Sequence, residues 1–153
     1  MTPIEQVEFY GKEILNSEQF NELDSFLQHG NTTLKGHCIN VAVKAIKFVD
    51  KYKINCDKKS LVIGCLLHDF FLYDWHDRGN RFAKFHAFTH PTTALQNAEL
   101  LFDLSEKSKD VIKKHMWPTT IIPPTQVESW IIVWVDKQCA IKETFSRKLS
   151  IGY

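Results

Sequence analysis

Three histidines and two aspartates of this chain sit where ionisable side chains are costly, His37, His68, Asp69, His115 and Asp136; His90 is a sixth candidate, which alone could be only the residue before a Pro-started helix. His68-Asp69 closes the most apolar run in the sequence, Leu61-Val62-Ile63-Gly64-Cys65-Leu66-Leu67. Two such groups in apolar surroundings must be paired, hydrogen-bonded or bound to a metal. His115 falls in helical phase with Val111 and Ile112, Asp136 with Ile132, Val133 and Ala140, and His37 with Leu34 and Val41. A single buried His or Asp is more often a satisfied core residue than a ligand. One cavity lined by all six accounts for them together, and neutral imidazole with carboxylate is the donor set that suits Zn, Mn, Fe and similar divalent ions. The remaining histidines, His29, His76 and His86, lie at a helix end or in a connecting segment, where packing or surface roles are the ordinary expectation.

The elements that must position these groups read as helix after helix. Thr2-Pro3-Ile4-Glu5 has the Thr-x-x-Glu capping box with Pro at the first helical position, which predicts a helix over residues 3–15. Ser17 and Glu18 open a second, stopping near His29-Gly30. Thr32 or Thr33 caps a long third helix, whose Leu34, Cys38, Val41, Ala42, Ala45 and Val49 recur at helical spacing. Asp57 caps residues 58–69, apolar nearly all round and so suited to the centre of a bundle. His90-Pro91 starts another helix, Ser105 with Glu106 a short one that Pro118 ends, and Thr125-x-x-Glu128 repeats the capping box before a helix to about Phe145. No segment alternates convincingly with period two. The expectation is an all-α, single-domain helical bundle over residues 1–153.

Composition bounds the rest. With 44% apolar and 24% charged residues, the chain has the make-up of one globular domain. A net charge of +1 provides no global field for a nucleic acid polymer or an anionic membrane, although a local basic patch remains compatible with it. The start lacks the basic and apolar regions of a secretory signal. The longest apolar stretch, near residues 130–135, is far short of the ~18–20 residues that span a bilayer. Cys38, Cys56, Cys65 and Cys139 form no CxxC pair and read as small buried hydrophobes of a reducing, cytoplasmic protein.

The ordered set His37, His68-Asp69, His90, His115, Asp136 resembles the HD superfamily of metal-dependent phosphohydrolases. Gly64-Cys65-Leu66-Leu67-His68-Asp69 is similar to that family's GxLLHD-type segment, and Val133-Trp134-Val135-Asp136-Lys137 to the site of its last Asp. The resemblance implies a bundle of the HD type in which His37, His68, Asp69 and Asp136 hold one metal. His90 and His115 match the pair added in members that bind two, with Asp69 bridging. The implied cofactor is thus one or two divalent ions (Mn, Fe, Zn, Co or Mg), two being favoured because both extra histidines are present. His68 and Asp69 would be the catalytic pair. In such two-metal sites, ions about 3.5–4 Å apart activate a hydroxide that attacks phosphorus in line, so no Ser or Cys nucleophile is required.

Residues 70–89, dense in aromatics and in both charge signs, join the His-Asp pair to His90 and would then overhang the metal mouth. Arg78, Arg81, Lys84 and Lys137 are candidate phosphate clamps. Tyr73, Trp75, Phe82, Phe85 and Phe88 either stack on a base or simply pack the segment down. The substrate expected from the resemblance is a small phosphate ester, a nucleotide or related metabolite, with no polymer or membrane partner. Two other functions fit the same residues: a non-catalytic metal- or nucleotide-binding module, and a di-iron oxygenase of HD-like fold.

Overall fold

The computed structural model describes the backbone of residues 1–29, 32–71 and 86–150 and the side chains of residues 1–26, 32–71 and 90–145. Within them the chain is helical almost throughout. α1 (Pro3–Tyr10) and α2 (Lys12–Leu15) are followed by α3 (Glu18–Asn21) and a 3-10 turn (Glu22–Ser25). A short hairpin, β1 (Leu27–His29) and β2 (Thr32–Thr33), precedes α4 (Leu34–Tyr52) and α5 (Lys58–Leu67). Then come α6 (His86–Leu101), α7 (Glu106–Lys114) and α8 (Val127–Ser150). The all-α class is therefore observed. No described helix is long and apolar enough to cross a membrane.

The caps fall where their chemistry requires. Thr2 and Glu5 form the reciprocal capping box. Ser17, Thr33, Asp57 and Ser105 each accept a hydrogen bond from a backbone N–H of the following first turn. Several expectations need correction. The first helix breaks at Gly11, where an added Cβ would meet Leu66 and the Val7 carbonyl, so close packing on α5 fixes both the glycine and the interruption. The second helix ends at Asn21. The residues expected to prolong it form the 3-10 turn and β1, and β1 pairs antiparallel with β2, Leu27 facing Thr33. Pro91 does not start a helix but lies inside α6, which begins at His86. Glu128 makes no cap for α8. It is buried, and its Oε1 accepts from the Asp57 backbone N–H at 2.6 Å, placing a carboxylate at the N-terminus of α5.

α5 is the central helix, packed on α1, α4, α6, α7 and α8. Ser60, Leu61, Val62, Gly64, Cys65, Leu66 and Leu67 are all buried. Its closest neighbour in register is α7. Ser60 Oγ lies 2.7 Å from Ser105 Oγ, and Ser108 Oγ donates to the Ser60 carbonyl at 3.0 Å, so the two N-termini are tied together. One to two turns on, Gly64 faces Val111, and at the far end the rings of His68 and His115 meet edge to face, 4.7 Å between centroids. The helices therefore run parallel, and the missing side chain at Gly64 lets them touch. Cys38, Cys65 and Cys139 are buried and unpaired, as expected of small core residues, whereas Cys56, expected to be buried with them, is only half-buried. Trp117 and Trp130 pack edge to face at 5.1 Å.

A Cβ at Gly64 would come within 2.6 Å of Val111 Cβ. Gly64→Ala should therefore destabilise the fold by about 1–3 kcal/mol, outweighing the roughly 1 kcal/mol that alanine gains in a helix. Chemical denaturation should show this loss shrinking when Val111→Ala is already present. A neutral or stabilising Gly64→Ala would mean that α5 and α7 are not in contact there.

Candidate metal centre

The six residues singled out by type and spacing converge at the helix ends. His37 comes from the first turns of α4 and Asp136 from the middle of α8. His68 and His115 are the C-terminal caps of α5 and α7, and Asp69 follows His68. His90 lies in the second turn of α6. All six are buried.

Asp69 divides the histidines into two pairs. Its Oδ2 lies 3.2 Å from His68 Nε2 and 3.7 Å from His37 Nε2. Its Oδ1 lies 3.2 Å from His90 Nε2 and 3.4 Å from His115 Nε2. Asp136 Oδ1 sits on the first pair, 2.8 Å from His37 Nε2 and 3.3 Å from His68 Nε2. The second pair is closed by the 2.8 Å approach of His90 Nε2 to His115 Nε2.

Outward-facing nitrogens fix these rings. His68 Nδ1 donates to the Cys65 carbonyl at 2.6 Å and His115 Nδ1 to that of Ile112 at 2.7 Å. Both are the carbonyl three residues back, exposed because the helix is ending. Each hydrogen bond leaves the Nε2 lone pair directed into the cage. His37 is held differently, with its Nδ1 2.8 Å from Glu143 Oε2, and Glu143 Oε1 accepts from Asn40 at 3.2 Å. Glu143 is the residue that the sequence reading missed. It stands two turns beyond Asp136 on α8, on the same face, and that seven-residue spacing is the signal that would have found it.

Three overlapping groups could hold an ion: His37, His68 and Asp69; His68, His115 and Asp136; and Asp69, His90 and His115. Ions that hold nitrogen and oxygen at about 2.0–2.2 Å keep adjacent ligand atoms roughly 3–3.5 Å apart, close to the spacings found here. His68 Nε2 is buried without a well-formed hydrogen bond among the described residues. That state suits an atom meant for an ion. The donor set, its spacing and its fixed tautomers all fit a divalent cation, and hydrogen bonds on the outer nitrogens are what such sites use to orient imidazole ligands.

Charge gives the same answer. Burial would raise the carboxyls of Asp69 and Asp136, but the histidines around them, His68 foremost, hold both well below the usual carboxylate range. Burial would lower His37, yet hydrogen bonds to Asp136 and Glu143 carry it up to about 10. Burial also opposes the charge on His68, and Asp69 and Asp136 override it. For His115, burial wins and the imidazole is pushed down. The metal-free cage thus balances buried anions with protons on His37 and His68, and a cation entering it would displace those protons.

The phosphate clamps fare differently. Arg78, Arg81 and Lys84 lie outside the described residues, as do Tyr73, Trp75, His76, Phe82 and Phe85; the side chains of His86 and Phe88 do too. Lys137 is described, and its ammonium donates to the Trp117 carbonyl at 3.0 Å. No family model matches this chain, and neither a curated protein nor a solved structure matches it.

If Glu143 orients His37 for an ion, Glu143→Gln should weaken metal affinity about 10–100-fold while leaving the helical content intact. Competition with a chromophoric chelator reads this directly. Unchanged affinity would reduce Glu143 to a fold contact.

Proposed function

We propose that this protein is a divalent-metal-dependent hydrolase of a small phosphate ester, of the HD type that its sequence resembles. The observation that carries the reading is Asp69: one buried carboxylate whose two oxygens face two different histidine pairs, the arrangement of a bridging ligand. His37, His68 and Asp136 would complete one ion's shell, and His90 with His115 the other's. Divalent ions held there would supply an activated water and neutralise charge on the phosphoryl oxygens.

The chain's own residues do the rest. The carbonyls of Cys65 and Ile112 hold the Nδ1–H of His68 and His115, so that each Nε2 faces the cage, where an ion would take the place of the proton that His68 carries there. Glu143 and Asp136 grip His37 from its two nitrogens. Phe71, Leu67 and Ile112 are buried with the cage, which strengthens every charge interaction inside it by keeping bulk water away. A nucleotide or a related phosphorylated metabolite is the substrate class we assign, with Arg78, Arg81 and Lys84 as its phosphate contacts.

Protein purified without chelator should contain about two divalent ions per chain and release phosphate from a nucleotide panel, with activity lost to EDTA and restored by Mn. Asp69→Ala should remove both ions and all turnover, and His115→Ala should remove one ion. If His115→Ala left the stoichiometry unchanged, the two-ion assignment would be wrong. Bound metal with no phosphate release from any substrate would transfer the site to a binding module, and substrate-dependent oxygen uptake would transfer it to oxygenase chemistry.

A further inference from the structure

The two helices that supply His37 and Asp136 share a second, outward surface. Lys44, Lys47 and Lys51 follow one another along α4 at three- and four-residue intervals, the spacing that puts side chains on one face. With Phe48, Tyr52 and Trp134 they line an open groove of about 620 Å3 between α4 and α8. None of these lysines forms an ion pair among the described residues. The nearby carboxylates are engaged elsewhere. Asp50 accepts from Lys58 at 2.7 Å and from Gln6 at 2.8 Å, and Glu143 is held by His37 and Asn40. The aromatics are presented to solvent, Tyr52 at 58% and Trp134 at 57% exposure. Lys51 Nζ already lies 5.2 Å from the Tyr52 ring centroid, so cation and ring belong to one surface.

A ligand for this groove must offer a flat apolar face and several negative charges close to it. The seven-residue step from Lys44 to Lys51 spans about 10 Å of helix, a run that can meet consecutive phosphates. The groove's size falls within the roughly 300–1,000 Å3 of small-molecule sites. We propose that it binds a phosphorylated nucleoside, with the base stacked on Trp134 and Tyr52 and the phosphates held by Lys44, Lys47 and Lys51, as a free nucleotide or as part of a single strand. Stacking platforms flanked by lysine are how proteins hold unpaired bases. A bilayer surface offers phosphates but no planar ring to stack on Trp134 and Tyr52, so a nucleotide answers both features of the groove. The net charge of +1 conceals this local row of cations. The inference does not depend on the metal centre.

Its test is binding of ATP and of a ten-residue oligothymidylate to the full chain, by calorimetry and tryptophan emission. EDTA is present so that capture at the metal centre is excluded. Inorganic triphosphate and phosphatidylserine vesicles serve as comparisons. Saturable binding of either nucleotide probe is expected, weakened tenfold or more by Lys47→Glu/Lys51→Glu and by Trp134→Ala. Affinity should fall with salt at a log–log slope near −2 for three strand phosphates, at about 0.7 each. ATP binding alone identifies a free nucleotide, and tighter binding of the strand identifies a polymer end. Lys47→Gln/Lys51→Gln repeats the test without charge reversal, and metal content should be unchanged in every variant. Binding of neither probe, equal binding of inorganic triphosphate, or binding of vesicles only would overturn the proposal.

Discussion

Two carboxylates, Asp69 and Asp136, are buried among helices, and the rest of the centre answers to that fact. Removing a carboxylate from water costs several kcal/mol unless opposite charge and hydrogen bonds come with it. The countercharge here is drawn from four separate helices, so no single element could have satisfied it. His68 and His115 approach from the ends of α5 and α7, His37 from the start of α4 and His90 from the start of α6. A core built around such a cluster is stable only while positive charge sits in it, as protons or as cations. The fold and the site are therefore one problem in charge balance.

Helix ends solve that problem because they leave backbone carbonyls without partners. At the ends of α5 and α7, a histidine in the capping position turns its Nδ1 back to the carbonyl three residues earlier and points its Nε2 past the helix end into the cage. The same device appears twice because the two helices are parallel and in register, joined by Ser60 and Ser108 at one end and touching at Gly64 and Val111. With the N-termini fixed and the axes close, the two imidazoles must meet. A glycine about one turn away thus determines how near His68 and His115 can come.

Much of this was legible in the sequence, and the parts that were not have physical reasons. Caps announced themselves at Thr2, Ser17, Thr33, Asp57 and Ser105, since each needs a short polar side chain before an apolar period. The cage residues were legible because ionisable groups in helical phase with Leu, Ile and Val have few bland explanations. The strand pair β1–β2 was not, because strands of three and two residues carry no periodicity, and Thr33 serves as both strand end and cap. Glu128 resembled a capping residue, but the N-terminus it serves belongs to α5. In the sequence Glu143 is one more charge near a polar helix end. Its burial follows from His37, a residue 106 positions away, which local pattern does not reveal.

The row of lysines on α4 is invisible in the helix's apolar stripe for a related reason: the stripe reports only the face turned to the core. α4 and α8 in fact carry chemistry on both faces. Their inner sides hold His37 and Asp136, and their outer sides hold Lys44, Lys47, Lys51 and Trp134. Glu143 marks the division between them. Oriented inward by His37 and Asn40, its carboxylate contributes to the buried anionic cage and does not neutralise the lysines outside. Turned outward, it would weaken both features at once, leaving His37 without one of its partners and the groove with an anion of its own. The direction of this one side chain thus sharpens a contrast that Asp69 and Asp136 already set between an anionic interior and a cationic surface.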